Sequence, residues 1–263
     1  MSTRLAGAGV VVTGGGGGIG AALARRFTAE GARVVVADLN ADAVNAVAEE
    51  IKGTAVVGDA ASETGVESLI AQAREALGDI DVFCANAGVA GFGIGRESTE
   101  DDWSLAWEVN VMAHVRAAKQ LLPAWLERGS GHFIATVSAA GLLTSLGSAP
   151  YSVTKHGALA HAEWLAATYR HRGLTVQAVC PQGVRTQMLT DAGKAGDLLM
   201  GESAIQPEQV SDALMTAIKE NRFLVLPHPE VAGYYAARAT DTDRWLGGMN
   251  KLQRKIEQHS FDE

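Results

Sequence analysis

The chain has 263 residues, 47% of them apolar, enough for one large domain or two small ones. A formal charge of −8 argues against nucleic acid or an anionic membrane surface as the main partner. No uninterrupted apolar run reaches the roughly 20 residues needed to span a bilayer, and MSTRLAGAGVVV is too short in apolar residues for a secretion signal. These features point to a cytoplasmic protein.

Short β-branched runs alternate with longer Ala-rich amphipathic ones. The strand-like runs, in chain order, are GVVVTG, ARVVVAD, TAVVGD, DVFCANAG, GHFIATVS, TVQAVCP and FLVLP. Strands that read as near-continuous apolar runs belong to parallel sheets covered on both faces. Between them the spacing predicts helices over 19–30, 41–51, 64–77, 100–128, 152–172 and 207–220. Thr64 and Thr99 each precede an acid by three residues, a capping-box pattern, and Pro207 suits a first helical position. The alternation predicts one doubly wound α/β domain over 1–263, with a parallel sheet of about seven strands and helices on both faces. Residues 187–206 break the rhythm as a long irregular connection, the place for a substrate loop. A charged, aromatic-dotted helical tail follows over 229–263.

Cys84 and Cys180 end apolar runs and read as buried, reduced thiols. The seven histidines are scattered, with no pair at metal-ligand spacing, so no metal is expected.

The stretch TGGGGGIG, residues 13–20, is either a flexible linker or a loop that something must approach closely. It follows a strand and opens a helix, where backbone N–H groups and the helix dipole favour a phosphate. Gly14, Gly18 and Gly20 are the positions that need no side chain: the first for a tight turn, the others for close approach of pyrophosphate and close packing. The next strand ends in Asp38, suited to hydrogen-bond the adenosine ribose hydroxyls, while Asn40 is better placed to cap the following helix. The Asp38 carboxylate repels a 2′-phosphate, and no Lys or Arg stands in 13–20 or at Leu39 to offset it. NAD is therefore favoured over NADP.

YSVTK sets Tyr151 and Lys155 four apart, on one face of a helix. A neighbouring ammonium stabilises a phenolate and lowers the tyrosine pKa. Ser138 ends the strand GHFIATVS, at the sheet edge where α/β proteins place active sites.

The chain resembles the short-chain dehydrogenase/reductase family over roughly residues 3–227. The matches stand in order: TGGGGGIG, the acid of VVVADLN, GDA at 58–60, NAG at 86–88, Asn110 in WEVNV, Ser138 and YSVTK. The resemblance implies a Rossmann-type fold and NAD-linked hydride transfer between an alcohol and a ketone. It makes Tyr151 the general acid/base, with Lys155 lowering its pKa and holding the nicotinamide ribose. Ser138 orients the substrate oxygen, and Asn110 binds a water that links Lys155 to solvent. Asp59 meets the adenine amine. Asn86, Ala87 and Gly88 line the cofactor cleft, and Ile19, Leu39 and Ala60 join the cofactor contacts.

One motif departs from the family. Where many members carry Pro-Gly, this chain reads CPQGVRTQM, with Gln182 either inserted into the pair or replacing its glycine. Val184 and Thr186 align with the residues that meet the nicotinamide amide, and Pro181 and Gly183 shape the turn. The segments that shape family pockets hold Phe92, Leu142, Leu143, Leu146, Met188, Leu189, Leu198 and Leu199, with no arginine cluster. They suit an apolar secondary alcohol or ketone, alicyclic or steroid-like compounds included. Family members assemble through the helices around 100–128 and 152–172, which here carry Trp103, Trp107, Trp125 and Trp164, so a homo-oligomer, a dimer or tetramer, is expected. An epimerase or dehydratase, a non-catalytic dinucleotide sensor and a reductase of carrier-bound acyl chains are the competing readings.

Overall fold

A computed structural model describes residues 5–90, 98–191, 201 and 203–260. Strands β1 (Gly9–Thr13), β2 (Arg33–Asp38), β3 (Thr54–Val57), β4 (Val82–Ala85), β5 (Gly131–Thr136), β6 (Leu174–Val179) and β7 (Leu224–Val225) form one sheet in the order β3-β2-β1-β4-β5-β6-β7. Every pairing is parallel. The order reverses between β1 and β4, and the carboxyl ends of those strands open the crevice where such sheets take ligands.

Alternate side chains of each strand enter two separate cores, as a two-residue period requires. Val10, Val12, Val34 and Val36 pack with helix α1 (Gly18–Ala29), helix α2 (Ala41–Ile51) and the helix Pro207–Glu220. Val11, Val35, Phe83 and Phe133 pack with α3 (Glu63–Leu77), α5 (Ala113–Arg128) and α7 (Ala149–Tyr169). The helices expected at 41–51 and 207–220 have those bounds, Asn40 caps α2 by accepting from Ala43 N, and Pro207 stands in the first turn of its helix.

Three local readings change. Ser62, not Thr64, caps α3: its hydroxyl accepts from Gly65 N, which leaves Thr64 inside the first turn. Thr99 does form the expected capping box, with Asp102, at α4 (Glu100–Trp107). The single helix read over 100–128 is broken by a π turn at Glu108–Met112 before α5 begins. The third change is Trp125, which belongs to the core and not to an interface. It is 2% exposed, and its indole N–H donates to Ile80 O at 2.7 Å. Trp107 and Trp164 are exposed.

Of the 187–206 connection, Gln187–Asp191 is a short helix, and Val184 pairs with Ile205 in an isolated parallel bridge. Phe92, Leu198 and Leu199 lie outside the described residues. The tail forms the helices Glu230–Thr240 and Thr242–Ser260, docked through Val231 and Trp245. Cys84 and Cys180 are both buried and unpaired. Among the described residues no helix is long and apolar enough to cross a membrane, and no three His, Cys, Asp or Glu side chains gather as a metal site.

Candidate active site

The glycine run is a tight connection between β1 and α1. Gly14 (φ +62°) and Gly18 (φ +50°) both lie in the left-handed region that favours glycine. A Cβ on Gly20 would stand 2.0 Å from Gly14 O, inside the backbone of the turn, whereas one on Gly17 would meet nothing within 4 Å. Gly17 is the N-cap of α1 and leaves open space at the helix N-terminus, while Thr186 stands over Gly18 beside it. That cradle fits a pyrophosphate. Ile19, in the same turn, packs against the neighbouring core.

Asp38 closes one side of the cradle. Its Oδ2 accepts from Gly16 N and its Oδ1 from Asn40 N, each at 3.0 Å. The carboxylate thus anchors the glycine loop from the end of β2. Leu39, beside it, is 74% exposed, an apolar surface open to a planar group. Asp59 accepts from Ala61 N and Ser62 N at the next strand end. Partial burial pushes its carboxyl up, and these hydrogen bonds with the charge of Arg116 hold it below its ordinary value. Ala60 packs against the core beneath.

Across the switch point, Thr13 fastens β1 to the turn after β4. Its Oγ1 accepts from Asn86 N and Ala87 N, each at 3.0 Å, and donates to Cys84 O. Asn86 returns the contact, its Nδ2 donating to Thr13 O at 2.9 Å. A Cβ on Gly88 would stand 3.2 Å from Asn110 Oδ1 and 3.3 Å from Lys155 Nζ, so glycine lets this turn approach α7 closely.

Ser138, Tyr151 and Lys155 converge at the carboxyl ends of β5 and β6. Tyr151 and Lys155 share one face of α7, as their spacing requires, with Nζ 5.6 Å from the centre of the tyrosine ring. Nζ donates to Thr136 O at 3.1 Å. Lys155 is 3% exposed, and burial pushes its ammonium down to about 8. Burial pushes the Tyr151 phenol up, and its hydrogen bond with Ser138 pulls it back only in part. Ser138 Oγ also accepts from Ala140 N at 3.1 Å. The two hydroxyls sit side by side, where one substrate oxygen can meet both.

Asn110 lies in the π turn, wholly buried. Its side chain accepts from Val89 N at 2.9 Å and donates to Val89 O and Thr154 Oγ1. Both amide protons are therefore committed to protein.

In the loop after β6 Gln182 has no positive φ, so its side chain costs no backbone strain. Val184 bridges to Ile205, Pro181 O accepts from Ala139 N, and Ile205 N donates to Gly183 O. The Thr186 methyl would lie 2.9 Å from a Cβ on Gly18, so this loop closes over the glycine turn. On the substrate side, Leu142 and Leu143 belong to the core, which removes them as open pocket lining. Met188 is exposed and Leu146 and Leu189 are half-buried.

Two residues join the site that motif reading misses. Thr13 is one. His228 is the other: buried at the end of the last strand segment, its Nδ1 accepts from Gln182 N at 3.1 Å and its Nε2 faces Ser203 O at 3.2 Å. It ties the loop after β6 to the returning end of the 187–206 connection.

This arrangement has counterparts among known proteins. The model of the short chain dehydrogenase family matches residues 8–196. A 1-deoxy-11-beta-hydroxypentalenate dehydrogenase of Streptomyces exfoliatus is 38% identical over 242 residues, covering 88% of this chain and 85% of that one. A meso-2,3-butanediol dehydrogenase of Serratia marcescens is 32% identical over 244 residues, 92% of this chain and 90% of that one. Among solved structures, a short chain dehydrogenase/reductase from Burkholderia phymatum in complex with NAD superposes with a TM-score of 0.83 at 25% identity, covering 92% and 96% of the two chains. An actinorhodin polyketide ketoreductase variant with NADPH gives 0.77 at 28% identity, covering 86% and 97%. Matched in fold and over most of its length, the chain belongs to the short-chain dehydrogenase family and is an oxidoreductase of that type.

Proposed function

We propose that this protein is an NAD-linked dehydrogenase that interconverts an apolar secondary alcohol and its ketone. The observation that carries the reaction class is the meeting of the Ser138 and Tyr151 hydroxyls beside a buried Lys155. Support for NAD comes from Asp38, a carboxylate held by Gly16 N and Asn40 N at the rim of the phosphate cradle, with no Lys or Arg among residues 13–20 or at position 39. The named relatives act on a hydroxypentalenate and a butanediol, which places hydroxyl–keto chemistry near at hand.

Each residue has a definable task. Gly14, Gly18 and Gly20 leave room for the pyrophosphate, Asp38 holds the adenosine ribose, and Asp59 with Ala60 borders the adenine. Asn86, Ala87 and Gly88 line the cleft, while Val184 and Thr186 face the nicotinamide amide. A bound nicotinamide supplies the hydride acceptor. Tyr151 takes the alcohol proton at its phenolic oxygen while Ser138 holds the substrate oxygen in place. The Lys155 ammonium favours the phenolate and binds the nicotinamide ribose. Asn110 binds a water that links Lys155 to solvent and carries the proton onward.

The remaining assignments follow from the same reading. Residues 187–206 form the substrate loop. Exposed Trp107 and Trp164, on α4 and α7, form part of a homo-oligomer interface. The working place is the cytoplasm. The test is turnover by purified protein of a panel of apolar secondary alcohols, followed by nicotinamide absorbance with NAD and with NADP in parallel. Reduction of NAD in preference to NADP supports the proposal. Preference for NADP contradicts the role given to Asp38.

A further inference from the structure

The segment between Ser138 and Tyr151 contains a strained residue. Thr144 has φ +77° and ψ 135°, a conformation that a β-branched residue almost never adopts. Such strain persists only where the surroundings over-determine the backbone, and it gathers at sites whose geometry matters. It follows helix α6 (Ala140–Leu143), which begins two residues after Ser138.

Two groups hold this turn. On its far side, Ser152 Oγ accepts from Ser145 N at 2.9 Å and meets Ser145 O at 3.0 Å, tying the turn to α7 one residue after Tyr151. On its near side the hold comes from the C-terminal tail. Arg238, in the helix Glu230–Thr240, donates through Nη1 to Leu142 O. The same guanidinium nitrogen lies 3.1 Å from His156 Nε2. His156 Nδ1 is 2.8 Å from Ser152 O, and a ring nitrogen facing a carbonyl must carry the proton. Nε2 is then bare and accepts from Arg238. Arg238 thus spans the carbonyl two residues before the strained Thr144 and the side chain next to Lys155.

We infer that Arg238 is a positioning residue. From the tail it pins the strained turn at Thr144 to the catalytic helix, and so fixes Ser138 against Tyr151. This gives the tail a part in the reaction without any contact between Arg238 and the reacting atoms. The inference rests on the dehydrogenase reading for its kinetic consequence, and on the contacts of Arg238 and the backbone of Thr144 for its structural one.

The experiment combines Arg238→Ala, Arg238→Lys, Thr144→Gly and the double variant Arg238→Ala with Thr144→Gly. Glycine adopts the left-handed conformation without strain, so it removes the need for a hold. Arg238→Ala is expected to lower kcat/KM for the alcohol by about 10- to 100-fold, with NAD affinity by titration within twofold of wild type. Arg238→Lys restores part of the loss, and Thr144→Gly in the Ala background restores most of it. Amide hydrogen exchange of residues 144–146 gives a readout free of turnover: Arg238→Ala accelerates it. Unchanged exchange together with unchanged kcat/KM overturns the inference, as does a loss that Thr144→Gly leaves untouched. A wild type that oxidises no alcohol fails the dehydrogenase reading instead, and exchange at 144–146 then decides the positioning claim by itself.

Discussion

The Nζ of Lys155 stands 5.6 Å from the centre of the Tyr151 ring, anchored on Thr136 O and shielded from water. Its position is close enough to stabilise a phenolate, yet burial alone drives the tyrosine the other way, above its ordinary value. In the proposed mechanism the Lys155 ammonium favours the phenolate against this desolvation.

Two consequences concern the pH profile. A base works in its phenolate form, whose fraction grows with pH, so with Tyr151 as the proposed base alcohol oxidation rises with pH. Tyr151→Phe lowers kcat by about 100- to 10,000-fold without changing the fold by circular dichroism. Lys155→Met removes the ammonium and moves the rising limb to higher pH. An unshifted limb in that variant contradicts the electrostatic role of Lys155.

The proposed function gives Asp38 the choice of cofactor, through a charge that also anchors the glycine loop. Asp38→Asn keeps the side-chain shape and deletes the repulsion toward a 2′-phosphate. A hydrogen bond to a charged group contributes roughly 1.5–3 kcal/mol, so NAD affinity falls about 10- to 100-fold. The preference for NAD over NADP narrows by a comparable factor. Titration with both nucleotides checks this.

The two thiols are inert for a physical reason. Burial pushes Cys84 far up and Cys180 up to about 12, which leaves almost no thiolate at neutral pH. A thiol reagent at pH 8 finds no reactive cysteine in the native protein and two after unfolding in urea.

Acid stability is set partly by buried histidines. Burial pushes His114 down to about 3 and His132 down to about 4. Above an ordinary value of 6.5 both are neutral in the folded and unfolded chain alike. Below it the unfolded chain binds protons that the folded one refuses, so stability falls as pH drops from about 6.5 toward 4. Each histidine adds a slope of up to about 1.4 kcal/mol per pH unit. Both ring nitrogens of His114 also lack a hydrogen-bond partner among the described residues. His114→Leu removes an unsatisfied polar group and raises stability at pH 7 by about 1–2 kcal/mol. It also flattens the acid limb, as read from urea midpoints at pH 7.5 and 5.

Local patterns made most of the site legible. Gly14, Gly18 and Gly20 announce themselves because this turn takes positive φ at two of them and leaves no room for a Cβ at the third, and Asp38, Tyr151 and Lys155 sit at spacings set by strand and helix geometry. What stayed hidden depends on residues far apart in sequence. Gln182 meets His228 across 46 residues and Leu142 meets Arg238 across 96, and no periodicity encodes either contact. Trp125 reads as a surface aromatic until the Ile80 carbonyl and the missing side chain of Gly131 are seen beside it; a Cβ there would stand 2.3 Å from the indole. The Ser62 cap was masked by Thr64, since two hydroxyls two residues apart compete for one helix start.

The most direct test of the account is NAD reduction by the wild type and Tyr151→Phe, side by side, with alicyclic secondary alcohols. The account predicts turnover by the wild type and its near-complete loss in the variant, with NAD affinity retained. Equal turnover by both proteins contradicts the assignment of Tyr151 as the acid/base and with it the mechanism proposed for this site.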